Sequence, residues 1–138
     1  MDSFKIESVR IKTTSEKAFR FIADARNLPK WTHAFKEVLN GKARMATPAG
    51  AVDVELEVKA SASEGTIDWH VTFPDGSVAT AYSRVVPESA QDSVYSFILM
   101  APSVPLEQLE GTLNQQAHIL REELTKLNAI LTEARATI

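Results

Sequence analysis

The chain has 138 residues, of which 44% are hydrophobic and 24% charged, a composition typical of one ordinary globular domain. Its 15 Lys and Arg against 18 Asp and Glu give a net charge of -3, which argues against a dedicated nucleic-acid binder. The lack of cysteine excludes disulfides, thiolate metal sites and cysteine nucleophiles, and is compatible with a reducing compartment. The sequence shows no signal-like apolar core and no run of about 18 apolar residues. We therefore expect one cytoplasmic domain spanning residues 1–138, with no integral membrane segment.

A strand and a helix are the first predicted elements. The segment from Phe4 to Thr13 alternates β-branched and charged residues, and its apolar parity shifts between Ile6 and Val9. This pattern predicts a strand with a local irregularity. Thr13 and Glu16 have the spacing of a capping box, in which a hydroxyl and a carboxylate each satisfy a backbone donor. The segment SEKAFRFIA that follows is therefore predicted to be a helix.

The stretch DARNLPKWTHAFKEV, residues 24–38, is predicted to be a junction between this helix and a set of strands. Asn27 can cap a second, short helix with Pro29 in its first turn, where the missing N–H of proline costs nothing. Leu28, Trp31 and Phe35 recur on one face of that helix. We expect this face to close one end of the core.

From about Lys36 the helical spacing of hydrophobic residues gives way to a spacing of two, which continues for over sixty residues. In AVDVELEVKA the valines and the leucine face one way and the charged residues the other, as in a strand that is wet on one face. GTIDWHVTF repeats the pattern, with Trp69 on the core side and His70 on the other. The turn PDG, the strand SVATAYSRVV and the strand SVYSFILMA follow. Strands joined by such short turns predict an antiparallel meander.

The last third of the chain is predicted to form one long helix. Leucines and alanines recur at three- and four-residue steps from Leu106 to Ala134, which places an apolar stripe on a helix of roughly 30 residues. The meander has one apolar face that nothing else in the chain is large enough to cover. The sheet and the helix are therefore expected to bury each other, giving an α+β fold. The stripe can also be interpreted as a coiled-coil seam, but the sheet would then lack a cover. The final turns past Leu127 can still extend beyond the sheet and pair with another chain in a homodimer.

This order of elements resembles the helix-grip fold of the START-like superfamily, also called SRPBCC, which includes bacterial polyketide cyclase/dehydrase-like proteins. In sequence the resemblance is concentrated in the junction, where Asp24, Asn27, Leu28, Pro29 and Trp31 match the family pattern. Ala25 replaces a frequent proline. The resemblance implies a curved antiparallel sheet of six to seven strands wrapped around one long C-terminal helix, with two short helices after the first strand.

The resemblance also implies a cavity between the sheet and the helix, which in many members of the family holds an apolar or amphipathic ligand. The expected partner is thus a small hydrophobic or amphipathic molecule of lipid, polyketide or aromatic type. The candidate lining residues are Trp31, His33, Phe35, Leu56, Trp69, Val71, Tyr82, Arg84, Tyr95, Phe97, Leu113, Gln116 and Leu120. A pocket of this kind needs one or two polar groups to orient its ligand.

No catalytic constellation is evident, and the catalytic residues stay unassigned. The three histidines, His33, His70 and His118, lie in different elements without the spacing of metal ligands, so we expect no metal and no cofactor. His70 and His118 are predicted to face solvent, whereas His33 lies near a possible cavity mouth. Tyr82 and Arg84 share one strand face, and the sequence leaves open whether that face points inward or outward.

Three functions are compatible with these features. Binding of a small apolar or amphipathic molecule is the leading hypothesis. A cyclase- or dehydratase-like enzyme would need at least two of His33, Tyr82, Arg84 and Tyr95 to converge in one pocket. A protein-interaction module would instead show a shallow cavity and a large exposed apolar patch.

Overall fold

The computed structural model describes residues 4–47, 50–100 and 106–136, with side chains described over 4–46, 50–100 and 114–132. Seven antiparallel strands form one sheet in the order β1-β7-β6-β5-β4-β3-β2. The strands are β1 Phe4–Ile11, β2 Phe35–Leu39, β3 Lys42–Thr47, β4 Gly50–Ser61, β5 Thr66–Thr72, β6 Val78–Pro87 and β7 Ser93–Met100. The helices are α1 Ser15–Ala23, α2 Leu28–Trp31 and α3 Leu106–Ala136. The predicted α+β fold with a meander and a long C-terminal helix is thereby confirmed.

The first strand differs from the prediction in one respect. β1 pairs with β7 in an unbroken register from Phe4 opposite Met100 to Ile11 opposite Ser93, so the irregularity expected between Ile6 and Val9 is absent. Ile6 instead points to the outer face of the sheet, where it is exposed, while Val9 and Ile11 point inward. The parity shift in the sequence therefore reflects an apolar outer surface. A register shift does occur at the opposite edge of the sheet, in β2 between Phe35 and Glu37.

The cap of α1 is also displaced by one residue from the prediction. The Thr14 hydroxyl, not that of Thr13, accepts a hydrogen bond from the backbone N–H of Lys17 at 3.2 Å. Thr13 is buried, and its carbonyl accepts a hydrogen bond from the Ser93 hydroxyl at 3.1 Å. Because this bond ties Thr13 to β7 in the short connection after β1, the neighbouring Thr14 caps the helix.

The junction between α1 and β2 contains a short 3-10 turn, Ala25–Asn27, before α2. Asp24 caps that turn by accepting from the Arg26 N–H. The Asn27 side chain does not cap α2 but donates to the Phe21 carbonyl at 2.9 Å, which ties the junction back to α1. Leu28 and Trp31 are buried, whereas Phe35 is half-buried and belongs to β2 rather than to the short helix.

Helix α3 runs in the same direction as β1 along the inner face of the sheet. Arg121 pairs with Glu7 at 2.9 Å, and seven residues later the Asn128 side chain accepts from the backbone N–H of Lys12 at 3.4 Å. The buried residues in the described part of α3 are Ala117, Leu120, Leu124, Leu127 and Leu131. Leu127 and Leu131 are therefore occupied inside the chain, and the side chains beyond residue 132, where pairing with another chain was considered, lie outside the described residues. None of the described helices is long and apolar enough to cross a membrane.

Candidate functional site

The inner face of β5, β6 and β7 forms the wall opposite α3. Successive residues of a strand point to opposite faces, so alternate residues of each strand share this wall. Trp69 lies opposite Ala81, which lies opposite Leu99, and Ser83 lies opposite Phe97. Three aromatic rings and a serine hydroxyl thus come together in the centre of the sheet from three consecutive strands, together with Trp31 from α2.

Two of the polar atoms on this wall are partnered. The Ser83 hydroxyl donates to the Ile67 carbonyl at 2.6 Å, and the Trp69 indole N–H donates to the Ser83 oxygen at 3.3 Å. Ser83 is buried, so both hydrogen bonds form away from water. A buried polar group that makes its hydrogen bonds is tolerated in a core. This pair therefore fixes the Trp69 ring against β6.

Two further polar atoms on the same wall have no hydrogen-bond partner among the described residues. They are the Trp31 indole nitrogen and the Tyr95 hydroxyl. Trp31 is only 2% exposed and Tyr95 is fully buried, so bulk water does not reach either group. The two rings are in contact edge to face, with their centroids 6.5 Å apart, and Tyr95 makes a similar contact with Phe97 at 6.3 Å. Unpartnered buried polar atoms are rare and costly, so each requires an explanation.

The protonation state of Tyr95 follows from its surroundings. Burial raises the pKa of the Tyr95 phenol well above its ordinary value. The side chains of Ser83 and Trp69 lie near enough to lower that pKa, but their effect is smaller than that of burial. Tyr95 is thus a neutral hydroxyl that can donate a hydrogen bond at physiological pH.

One end of the inner wall is less covered than the centre. Ala81, Phe97 and Leu99 are half-buried although they point inward. Beside them the Glu7 carboxylate accepts a hydrogen bond from Arg121 at 2.9 Å, which forms an ion pair at the rim of this end. The uncovered end faces the part of α3 that precedes Arg121. A ligand approaching this wall would thus meet apolar side chains next to a charged rim.

A half-buried carboxylate lies where α3 meets the α2–β2 junction. Glu123 accepts a hydrogen bond from the backbone N–H of His33 at 2.7 Å. Burial raises the pKa of the Glu123 carboxyl, while the hydrogen bond from His33 acts in the opposite direction. Glu123 therefore ties the long helix to the junction through a single side chain.

The outer face of the same strands carries several of the predicted site residues. Tyr82 is 42% exposed and Arg84 is exposed, and both lie on the side of β6 opposite to Ser83. The Arg84 guanidinium donates to the Glu64 carbonyl at 3.1 Å. The structure thus answers the question that the sequence left open for this strand: both side chains point away from α3 because the inner positions are taken by Ala81, Ser83 and Val85.

The other predicted residues are divided between the interior, the surface and the part outside the described side chains. Leu56, Trp69, Val71, Tyr95 and Leu120 are buried, along with Trp31. Phe35, Phe97 and Gln116 are half-buried, and His33 is exposed. The Leu113 side chain lies outside the described residues. His118 is exposed beside Glu122, and His70 is half-buried on the outer face.

Neither of two depressions found on the described part of the chain lies between the sheet and α3. One, of about 740 Å³, is open to solvent at the far end of the sheet, and Lys42, Arg44, Asp53 and Glu55 contribute to its lining. The other, of about 380 Å³, lies beside it near His70. No group of three or more His, Asp or Glu side chains suited to a metal ion occurs among the described residues.

Three residues of the site were missed by the sequence interpretation. Ser83 alternates with Tyr82 and Arg84, so strand parity alone would have placed it on the other face from them. Glu123 follows the stripe residue Leu120 by three positions, a spacing that puts both on one side of a helix. Arg121 had no such signal, because its partner Glu7 belongs to a strand at the opposite end of the sequence.

Comparisons with solved structures bear on the fold. No protein-family model matches the sequence, and no curated protein is significantly similar to it. The protein XoxI from Bacillus cereus superposes with a TM-score of 0.72 at 15% identity, covering 97% of this chain and 99% of that one. A START superfamily protein from Mycobacterium smegmatis gives 0.69 at 11% identity, covering 95% and 98%. The Zhui aromatase/cyclase from a Streptomyces species gives 0.62 at 14% identity, covering 96% and 93%.

These similarities extend over nearly the whole chain and agree with the junction motif and the order of elements. At such low identities they define the architecture and leave the activity open. The seven-stranded sheet, the two short helices after β1 and the long helix α3 together make this chain a protein of the START-like helix-grip fold.

Proposed function

We propose that this protein binds a small apolar or amphipathic molecule between the inner face of the sheet and α3. The observation that carries the proposal is the pair of buried, unpartnered polar atoms of Trp31 and Tyr95 on an otherwise apolar wall. Binding sites for small molecules combine such apolar walls with a few placed polar groups. The half-buried side chains of Ala81, Phe97 and Leu99 offer the route of entry.

The solved structures support a ligand of this kind. A START superfamily protein and the Zhui aromatase/cyclase share the fold, and the name of the latter refers to the formation of aromatic rings. The described core already contains Leu120, Leu124 and Leu127. The proposed ligand is therefore modest in size and binds towards the less covered end, beside Phe97 and Leu99.

The cyclase-like alternative finds less support. It requires two of His33, Tyr82, Arg84 and Tyr95 in one pocket, and of these four only Tyr95 is on the inner wall. A tyrosine whose pKa is raised well above its ordinary value is a poor general base near neutral pH. We accordingly favour binding over catalysis.

A second candidate, a protein-interaction surface, is supported by a different observation. Phe4, Ile6, Tyr82 and Met100 are all exposed on the outer face at one end of the sheet. Their strands are neighbours, and Ile6 and Tyr82 both lie opposite Ile98. An exposed apolar patch of this kind is typical of a contact surface. Sedimentation of the wild-type chain and of Ile6→Ser would test it, since a self-association through this patch should weaken in the variant.

The leading proposal is tested by two variants on neighbouring positions of β6. Ala81→Phe adds a ring to the inner wall between Trp69 and Leu99, whereas Thr80→Phe adds the same ring to the outer face. Calorimetric titration with tetralin and lauric acid is expected to show binding to the wild-type chain. Ala81→Phe should weaken it at least about tenfold, because one inserted ring removes the space for apolar contacts.

Thr80→Phe should bind within about twofold of the wild-type chain, since outer-face substitutions leave the inner contacts intact. Circular dichroism of both variants verifies that each is folded. If neither probe binds the wild-type chain, or if Ala81→Phe binds as well as Thr80→Phe, the proposal is wrong.

A further inference from the structure

We infer that Trp31 and Tyr95 select a ligand that carries a hydrogen-bond acceptor oxygen, such as the carbonyl of an aryl ketone. The inference rests on the proposed function and specifies the chemistry of its ligand. It names two specificity-determining residues that act through single atoms, the Trp31 indole nitrogen and the Tyr95 hydroxyl.

The chemistry of the two atoms restricts the groups that can bind them. The indole N–H of tryptophan can only donate a hydrogen bond, so the Trp31 nitrogen can be satisfied by an acceptor alone. The Tyr95 phenol is neutral in its buried position and can donate as well. An acceptor oxygen is the simplest group that suits either donor.

The polar atoms of Trp31 and Tyr95 differ from the indole N–H of Trp69 in their hydrogen bonding. The indole N–H of Trp69 is also buried, but it donates to Ser83, which in turn donates to the Ile67 carbonyl. Trp31 has no such acceptor among the described residues, and the Tyr95 hydroxyl makes no hydrogen bond of acceptable geometry there, although Ser83 and Trp69 are its polar neighbours. The sheet therefore supplies an internal acceptor to one tryptophan and leaves the other, together with its edge-to-face neighbour Tyr95, without one.

The missing hydrogen bonds have a consequence for the free energy of ligand binding. Leaving a buried donor without a partner costs about 1–3 kcal/mol, and a ligand oxygen that meets the donor recovers much of that cost. A hydrocarbon of the same shape gains only the apolar contact. Sites built around buried polar atoms discriminate strongly against analogues that lack the matching group.

The experiment compares 1-tetralone with tetralin, two bicyclic molecules of nearly the same size of which only the first has a carbonyl. Dissociation constants are measured by calorimetry for the wild-type chain, Trp31→Phe, Tyr95→Phe and the control Tyr82→Phe. The control removes the hydroxyl of the chain's other tyrosine, which lies exposed on the outer face. All four proteins are compared by thermal unfolding.

The wild-type chain and Tyr82→Phe are expected to bind tetralone about tenfold more tightly than tetralin. In Trp31→Phe and Tyr95→Phe this preference should fall to about twofold or less. Tetralin affinity should be retained in Tyr95→Phe, which keeps the ring, and within about threefold in Trp31→Phe, which keeps an aromatic ring smaller than indole. Tyr95→Phe should also melt no lower than the wild-type chain, since it removes an unpartnered buried hydroxyl.

The outcomes separate the two proposals. Equal binding of tetralone and tetralin by the wild-type chain overturns the inference and leaves apolar ligand binding intact. A ketone preference that survives in both Trp31→Phe and Tyr95→Phe also overturns it, because the selecting atoms would lie elsewhere. If neither molecule binds any of the four proteins, the proposed function itself is wrong and the inference falls with it.

Discussion

The two faces of β5, β6 and β7 show how differently the same strands can be used. On the outer face Tyr82 and Arg84 reach solvent, and the hydrogen bond of Arg84 to a turn carbonyl is exposed. On the inner face Ser83 and Tyr95 are buried, next to Trp69 and Trp31. The chain's two tyrosines thus have opposite environments although they lie on neighbouring strands.

The difference shows that strand parity, more than residue type, determines which polar groups can take part in recognition. A hydroxyl on the outer face exchanges hydrogen bonds with water at little cost, whereas a hydroxyl on the inner face must be matched or remain unsatisfied. In the proposed site, recognition of the ligand would therefore depend on the few polar atoms on the inner wall. The predictions below test that contrast.

The largest effect is expected from truncating an inner aromatic residue. Trp31→Ala should lower the free energy of unfolding by about 3–5 kcal/mol, because it removes a buried indole and leaves a cavity beside Tyr95. Tyr82→Ala, on the outer face, should change it by less than about 1 kcal/mol. Urea unfolding of both variants measures the contrast, and equal losses would contradict the assignment of the faces.

The register that keeps these faces apart depends on Gly65, in the turn between β4 and β5. Its φ is +75°, its carbonyl accepts from the Val85 N–H at 2.8 Å, and an added Cβ would collide with the Val85 carbonyl oxygen. Gly65→Ala should therefore lower the free energy of unfolding by about 2–4 kcal/mol, through backbone strain and a collision with β6.

Gly76 provides the matched control in the next turn. It has a similar φ of +88°, but an added Cβ there would meet nothing within 4 Å. Gly76→Ala should cost only the backbone strain, about 1–2 kcal/mol. Thermal unfolding of the two variants side by side isolates the contribution of the collision. A loss at Gly76 as large as that at Gly65 would show that the approach of β6 is unimportant.

A smaller, pH-dependent effect is expected at the contact between α3 and the junction. Burial raises the pKa of the Glu123 carboxyl above its unfolded value, so the folded chain keeps that proton to higher pH. Stability from this group is thus lost as the pH rises from the unfolded pKa through the folded one. Glu122 acts in the same direction as burial, and the His33 imidazole opposes it.

Glu123→Gln mimics the protonated form and can still accept from the His33 N–H. Relative to the wild-type chain, the variant should be more stable at about pH 7.5 than at about pH 4.3, near the unfolded pKa. Urea unfolding at both values measures the change. A stability difference that is the same at both pH values would indicate that the carboxyl is not desolvated in the folded chain.

The smallest effect is expected from an ion pair at the sheet surface. Arg10 makes two hydrogen bonds to Glu88, at 2.7 and 2.8 Å, but its side chain is 65% exposed. Arg10→Ala should lower the free energy of unfolding by less than about 1 kcal/mol, because solvent screens the attraction. Unfolding with and without added salt checks this. A larger loss would mean that polar contacts at the surface also stabilise the fold appreciably.

The architecture was largely predictable from the sequence because it depends on periodicity. The alternation in AVDVELEVKA and GTIDWHVTF predicted strands wet on one face, and the leucine steps predicted a helix of roughly 30 residues where α3 has 31. Local details, such as the helix caps, were harder to predict from the sequence. The capping box at Thr13 was wrong because a tertiary hydrogen bond from Ser93 ties that residue to β7, and the neighbouring Thr14 caps the helix instead.

The candidate site was less predictable because it depends on contacts between distant segments. The face of Tyr82 and Arg84 was left open since both faces of β6 carry apolar and polar residues, and only pairing with Trp69 and Leu99 fixes it. The bond between Glu123 and the His33 backbone joins residues 90 positions apart. A contact between residues so far apart leaves no periodic pattern in the sequence.

The central claim, that a ligand binds on the inner wall, is tested most directly by NMR of the two tryptophan indole N–H groups. The chain has only Trp31 and Trp69, so a ¹⁵N-labelled sample gives two indole signals, which Trp31→Phe assigns. Titration with 1-tetralone should shift the Trp31 indole signal most, together with backbone amides near Tyr95 and Phe97, and leave those around the exposed Ser89, in the loop between β6 and β7, in place. Shifts confined to the outer face, with both indole signals unchanged, would contradict the account.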